Sequence, residues 1–343
     1  MSSQQARDRE LLRRRSTWSQ QLSTVETAVL LAAGVALAGL AVSTATAAGR
    51  RRLGLTDHVS AALLAAAAAY AVGHLVRGLR LAVLLNDPVV GLRRVMCAHL
   101  LTSGVSLLLP FRLGDLFRMR LTGVLVGSTT RGVVAIVLER SLDLGVVLGI
   151  SIVAAATAPG TVHLLTPLLV VTGLFLVATI SAITVIPVYL QAMSLYLVRR
   201  PAAPGGAALV AAMERIMVVL DEAPRLMRRR TPTLLVLTAL VWLAELAALR
   251  LAVPVFADDL TRLTAVLASF LSSLSSGAVA LLPGSLERAL ARPPLLGVLD
   301  KSQVSTYRAV LVVPLLWASA VAGMLVPPWL AGSRRLFRRR VAW

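Results

Sequence analysis

Apolar runs of bilayer-spanning length alternate along this chain with short Arg-rich stretches. Crossing a bilayer as a helix takes roughly 20 apolar residues. Residues 27–49 carry no charge and are long enough to span, and residues 59–76 form a second span that ends at Arg77 and Arg80. Residues 132–158 span with charges near their start, residues 163–190 span with none, residues 234–255 span while carrying Glu245 and Arg250, and residues 309–329 close the membrane part. The pattern predicts an all-α, polytopic integral membrane protein.

Two further apolar segments are ambiguous. Residues 95–110 are short, interrupted by Gly104 and ended by Pro110, and residues 263–283 are serine-rich and end in Pro283 after Gly277. Such interruptions suit re-entrant or broken helices better than full crossings. The linker 199–230 is Arg-rich. It carries an amphipathic pattern (Leu209, Met213, Ile216, Met217, Leu220) expected to lie on the membrane surface. Basic loops favour the cytoplasmic side. With both ambiguous segments re-entrant, six full spans remain, and the basic N-terminus (1–25), the linker and the basic tail (331–343) share that side of a membrane domain covering 26–330. The short loops 159–161 and 257–260 fall opposite, and Arg50, Arg51 and Arg52 fall there too, against the rule.

The two ambiguous segments resemble each other. The first reads Ser103-Gly104, five residues ending Leu-Leu, Pro110, then Asp115; the second reads Ser276-Gly277, five residues ending Leu-Leu, Pro283, then Glu287. In this topology they enter from opposite faces, as an inverted repeat would place them. Paired Gly/Pro-interrupted segments in two halves point to a transporter's midplane site.

Composition confirms the class and narrows the partners. Hydrophobic residues make up 57% of 343 and charged residues 15%, with a mean hydropathy of +0.80. Lys plus Arg number 35 against 16 Asp plus Glu, for a net charge of +19, and Lys301 is the one lysine. Guanidinium groups match phosphate in a bidentate fork. No basic, aromatic-interleaved domain stands outside the membrane segments, so anionic lipid is the expected partner and nucleic acid is not. The lone Cys97 forms no internal disulfide. The histidines His58, His74, His99 and His163 are scattered and read as packed or headgroup-level residues, and no Cys/His spacing marks a metal site. No nucleotide-binding loop is present, and no cofactor is expected.

Charges at membrane depth need a reason, since each costs roughly 2.5–3.5 kcal/mol on insertion scales. Glu139 and Asp143 share one face of a helix, and Arg140 lies three residues from Asp143, within pairing reach. One acid is then left for Arg112, Arg118, Arg120, Arg77 or Arg80. An internally neutralised network and direct substrate contact are both open here. In Pro110-Phe111-Arg112-Leu113-Gly114-Asp115-Leu116-Phe117-Arg118, two arginines flank an acid that could orient one of them toward a phosphate. The same arginines could instead snorkel to headgroups. Glu245 and Arg250 are five apart, a poor spacing for a pair on one helix.

On these residues the chain resembles the lysylphosphatidylglycerol synthase transmembrane-region family, also called flippase-like membrane proteins. The resemblance rests on Arg77-x-x-Arg80-Leu81, on Leu-Leu-Pro110-x-Arg112-x-Gly114-Asp115-x-x-Arg118, on Glu139-Arg140-x-x-Asp143 and on Pro283-Gly284-x-Leu286-Glu287. The family usually has Gly-Glu where this chain has Gly114-Asp115. Its later motif is usually richer in glycine, and here Arg288 and Arg292 follow a contracted version. The resemblance implies a membrane domain that moves phospholipids or lipid-linked molecules between leaflets, without the soluble acyltransferase domain of the aminoacyl-phosphatidylglycerol synthases.

Three functions are therefore weighed. The first is a lipid translocase of the cell membrane whose arginine-lined cavity contacts an anionic lipid or lipid-linked substrate. Its candidate binding residues are Arg77, Arg80, Arg112, Asp115, Arg118, Glu139, Arg140, Asp143 and Glu287. The second is a membrane-embedded transferase using a lipid-linked donor, for which only Asp258-Asp259 offers paired acids. The third is a non-transporting lipid-binding subunit. A second copy of the chain or a separate synthase are the protein partners envisaged, and no enzymatic activity is expected of the chain itself.

Overall fold

The structure, a computed structural model, describes residues 24–53, 55–57, 60–85, 87, 90–108, 113–157, 162–198, 206–252, 305–306 and 309–325. Among these residues every regular element is a helix. In chain order they are α1 (Thr24–Thr44), α2 (Ala47–Arg52), α3 (Ala61–Leu85), α4 (Gly91–Leu108), α5 (Leu113–Val126), α6 (Thr129–Thr157), α7 (Val162–Thr184), α8 (Ile186–Val198), α9 (Gly206–Met227), α10 (Thr231–Ala252) and α11 (Ala309–Leu325). The segment 263–283, Asp258-Asp259, Glu287 and both chain ends lie outside the described residues, as do Pro110 and Arg112.

Among the described residues, three helices are long and apolar enough to cross a membrane: Glu26–Thr44, Ala61–Leu85 and Thr231–Ala252. A fourth span is added if the pair Thr172–Thr184 and Ile186–Tyr196, bent by 46°, counts as one. The sequence reads 163–190 as one uninterrupted span, and the difference has a local cause. Pro187 has no N–H to donate to the preceding turn, and the helix breaks at Val185. α6 has the length to cross, at 29 residues, but carries Arg131, Glu139, Arg140 and Asp143. The outward faces are apolar: Val35, Leu174, Val188 and Tyr189 are all exposed. This is how a protein solvated by hydrocarbon distributes its side chains.

α3 and α10 pack along each other at the centre. α1, α4 and α11 meet beside them around Leu37, Leu101, Val105 and Leu316. Gly104 is required at that crossing, because a Cβ there would overlap the side chain of Ser319, whose hydroxyl donates to the Leu100 carbonyl at 2.7 Å. A second cluster gathers Leu81, Leu84, Val95, Ile136, Leu226 and Leu234, where α3 ends and α6 and α10 begin. Arg131 donates to the Leu85 carbonyl, and Arg230 donates to the Val83 carbonyl at 3.0 Å. Both arginines thus satisfy carbonyls in the last turn of α3, which no residue further along that helix can reach.

α4 and α5 form a hairpin. Gly114, at the start of α5, lies so close to Ser106 near the end of α4 that a Cβ could not be accommodated. The open end of the hairpin lies where α3 ends and α6 begins. Its closed end meets α6 at Arg140, eleven residues from Thr129, or about 16 Å along the axis. The amphipathic linker forms α9. Met213, Ala223 and Leu226 are buried, while Leu209 and Ile216 stay exposed, so its apolar stripe is only partly used against the bundle.

Candidate functional site

Seven of the nine charged residues singled out by sequence fall within the described residues, and they converge on one place. Arg80, fully buried, is at its centre. Its Nη1 donates to Asp143 Oδ1 at 2.7 Å and to Thr238 Oγ1 at 3.0 Å. Its Nη2 donates to Glu139 Oε1 and Asp143 Oδ2, both at 3.0 Å. One side chain of α3 therefore ties α6 to α10. Placement follows from helical spacing: Glu139 and Asp143 lie one turn apart on α6 and present both carboxylates to the same guanidinium.

The second oxygen of Glu139 accepts from Arg118 Nη2 at 2.6 Å, which ties in the hairpin. Asp115 Oδ1 accepts from Arg140 Nη2 at 2.7 Å, a second tie between α5 and α6. Arg77 and Glu245 complete the set, 2.5 Å apart across the α3–α10 interface. That contact is an ion pair without hydrogen-bond alignment, and both Glu245 oxygens are buried with no hydrogen-bond partner. The cluster reaches from Thr238 to Glu245, about 10 to 21 Å from the start of α10, inside a 22-residue apolar helix.

One expected pairing is replaced. Arg140 does not pair with Asp143 on its own helix; it pairs with Asp115, and Asp143 is taken by Arg80. Arg118, one of the two arginines that Asp115 could orient, is held by Glu139, and the other, Arg112, lies outside the described residues. A same-helix pair contributes only a few tenths of a kcal/mol, whereas buried interhelical carboxylates left without cations would cost several. Of the further donors considered, Arg120 is bound to Glu26 at 2.9 Å.

Counting charges decides what the cluster can do. Arg77, Arg80, Arg118 and Arg140 face Asp115, Glu139, Asp143 and Glu245, four against four. The arginines are engaged by carboxylates rather than free to line a cavity. Spare capacity remains, since the Nε groups of Arg77, Arg80 and Arg118 are buried without partners. Among the described residues, no group of three or more His, Cys, Asp or Glu could hold a metal ion.

Sequence reading left Glu245 and Thr238 out of the site, although their spacing of seven puts them on one face of α10. It also set aside His74 and His99. The ladder Tyr70, His74, Arg77 and Leu81 on one face of α3 was the available signal for His74.

Comparison with known proteins supplies one match. The family model described as "Lysylphosphatidylglycerol synthase TM region" matches residues 27–286. No curated protein and no solved structure matches the chain.

Proposed function

The chain belongs to the lysylphosphatidylglycerol synthase TM-region family, and from that premise we propose that it is a lipid translocase whose buried charge cluster receives the phosphate of a phospholipid or lipid-linked molecule as it crosses. The observation that carries this reading is the cluster itself: six buried and two half-buried ionisable side chains from α3, α5, α6 and α10, of which α3 and α10 are long and apolar enough to cross a membrane. Ion pairs of this kind contribute little net stability compared with apolar packing, and intramembrane charge generally marks a substrate path.

In this mechanism a headgroup phosphate displaces Glu139 from Arg118, using the Arg118 Nε donor that has no partner. Glu139 remains on Arg80, so no charge is left bare in hydrocarbon. The α4–α5 hairpin is the natural moving part. It enters and leaves at one end of the bundle and is held to α6 through Arg118–Glu139 and Asp115–Arg140. The termini and α9 face the cytoplasm of a plasma membrane in this account, and Arg112 and Glu287 are further candidate substrate contacts. The chain then catalyses no covalent step; any lipid-modifying chemistry belongs to a separate synthase.

The test is dithionite quenching of a fluorescent anionic phospholipid in proteoliposomes. Wild-type protein should expose inner-leaflet lipid to the quencher, and Arg118→Gln and Asp115→Asn should each slow that exposure at least tenfold while remaining folded. Unchanged rates in folded variants would remove these residues from the path. Release of a modified lipid product by the purified chain would favour the transferase reading instead.

A further inference from the structure

Two buried histidines stand beside the charge cluster and take no part in its pairing. His74 on α3 and His99 on α4 meet ring to ring, with His74 Nδ1 3.4 Å from His99 Nε2. Tyr70 closes the other flank of His74 edge-on, with ring centroids 4.8 Å apart. His74 is 7% exposed and His99 1%. Their outer nitrogens, His74 Nε2 and His99 Nδ1, are buried without a hydrogen-bond partner.

Proton counting shows why this arrangement is unusual for packed residues. A neutral pair holds two N–H groups and two lone pairs. The shared bond uses one of each, so whichever ring donates in it, one outer nitrogen is a donor without an acceptor and the other an acceptor without a donor. Leaving such groups buried without partners is unfavourable, because their desolvation is not compensated. One added proton fills the orphan lone pair, and the pair then directs two N–H groups outward with no acceptor in place. An incoming anionic oxygen would answer that demand.

The surroundings give the proton a consequence. The charges acting on the two rings come from Arg77 on α3, Arg118 on α5, and Glu139 and Arg140 on α6. From α10, Glu245 acts on Tyr70. The four-against-four cluster has no net charge with which to draw in an anion. One proton on the histidine pair makes the site +1, the complement of a single phosphodiester.

We propose that the His74–His99 pair is a proton-binding site, taking up one proton for each anionic phospholipid headgroup that enters the cluster. The identity of the ligand rests on the lipid reading above; the proton site rests on the histidine geometry. Because the lipid-bound state holds the extra proton, affinity rises as pH falls, by up to about tenfold per pH unit, and by reciprocity bound lipid raises the pair's hold on its proton.

The experiment measures proton uptake as short-chain phosphatidylglycerol binds the full-length protein in weakly buffered detergent, with short-chain phosphatidylcholine as the zwitterionic control. Wild-type protein should take up about one proton per phosphatidylglycerol and none with phosphatidylcholine. His74→Asn and His99→Gln, checked for native helix content and monodispersity, should each bring uptake close to zero and flatten the pH dependence of binding. The soluble headgroup glycerophosphoglycerol should need at least tenfold higher concentration; equal affinity would indicate a free-anion site and overturn the lipid assignment. Binding without proton uptake, uptake unchanged in both variants, or no binding of the anionic lipid would each overturn the proposal. Linked uptake without transbilayer lipid movement in liposomes would uphold the proton site and refute the translocase.

Discussion

Arg80→Met removes the centre of the buried network while keeping an unbranched, apolar side chain. Four hydrogen bonds disappear, two to Asp143, one to Glu139 and one to Thr238. Their loss is unequal. Glu139 keeps Arg118, and Thr238 keeps its bond to the Leu234 carbonyl at 2.7 Å, whereas Asp143 loses its guanidinium and becomes an uncompensated buried carboxylate. Breaking a buried pair in this way costs about 3–5 kcal/mol. Adding Asp143→Leu removes the orphaned charge, and an apolar replacement of the whole pair is neutral or stabilising, so the double variant should return to within about 1 kcal/mol of wild type. Equilibrium unfolding in mixed micelles, followed by helical circular dichroism, measures both, and the double-mutant cycle isolates the coupling. A loss below about 0.5 kcal/mol for Arg80→Met, or additive losses in the double variant, would refute the reasoning.

Glu245→Gln should leave Arg77 without its counter-ion and lower stability by about 2–4 kcal/mol in the same assay, whereas replacing exposed Arg250 should change it by less than about 0.5 kcal/mol. Gly104→Ala should cost about 1–3 kcal/mol by forcing α4 and α11 apart, and Ser319→Gly in the same chain should recover most of it, read as paired unfolding midpoints. Pro187→Ala should restore a backbone donor and straighten the 46° bend between α7 and α8. Spin labels at Leu174→Cys and Tyr189→Cys, with buried Cys97 replaced by serine, should then report a longer and narrower distance distribution.

The apolar runs that became α1, α3 and α10 were legible because a bilayer demands length and the chain supplies it without interruption. So was an interruption of the apolar run 95–110, which matches the end of α4 at Leu108 and the start of α5 at Leu113. The shared face of Glu139 and Asp143 was also legible from spacing alone. Their partners were not. Spacing along one helix favours Arg140 with Asp143, but the choice between that pair and Arg80 depends on which helices meet, a matter of tertiary packing. Arg77 with Glu245 was hidden for the same reason, the two lying 168 positions apart. His74 and His99, 25 positions apart, look scattered in sequence and adjoin only because α4 folds back along α3.

Headgroup contact with the cluster is the central claim, and photolabelling tests it most directly. An anionic phospholipid with a photoreactive headgroup, incorporated in nanodiscs with the full-length protein, should label peptides carrying Asp115, Arg118 and Glu139–Asp143, and excess unlabelled anionic lipid should compete. Labelling confined to the basic termini and α9, with the α5 and α6 peptides untouched, would contradict it.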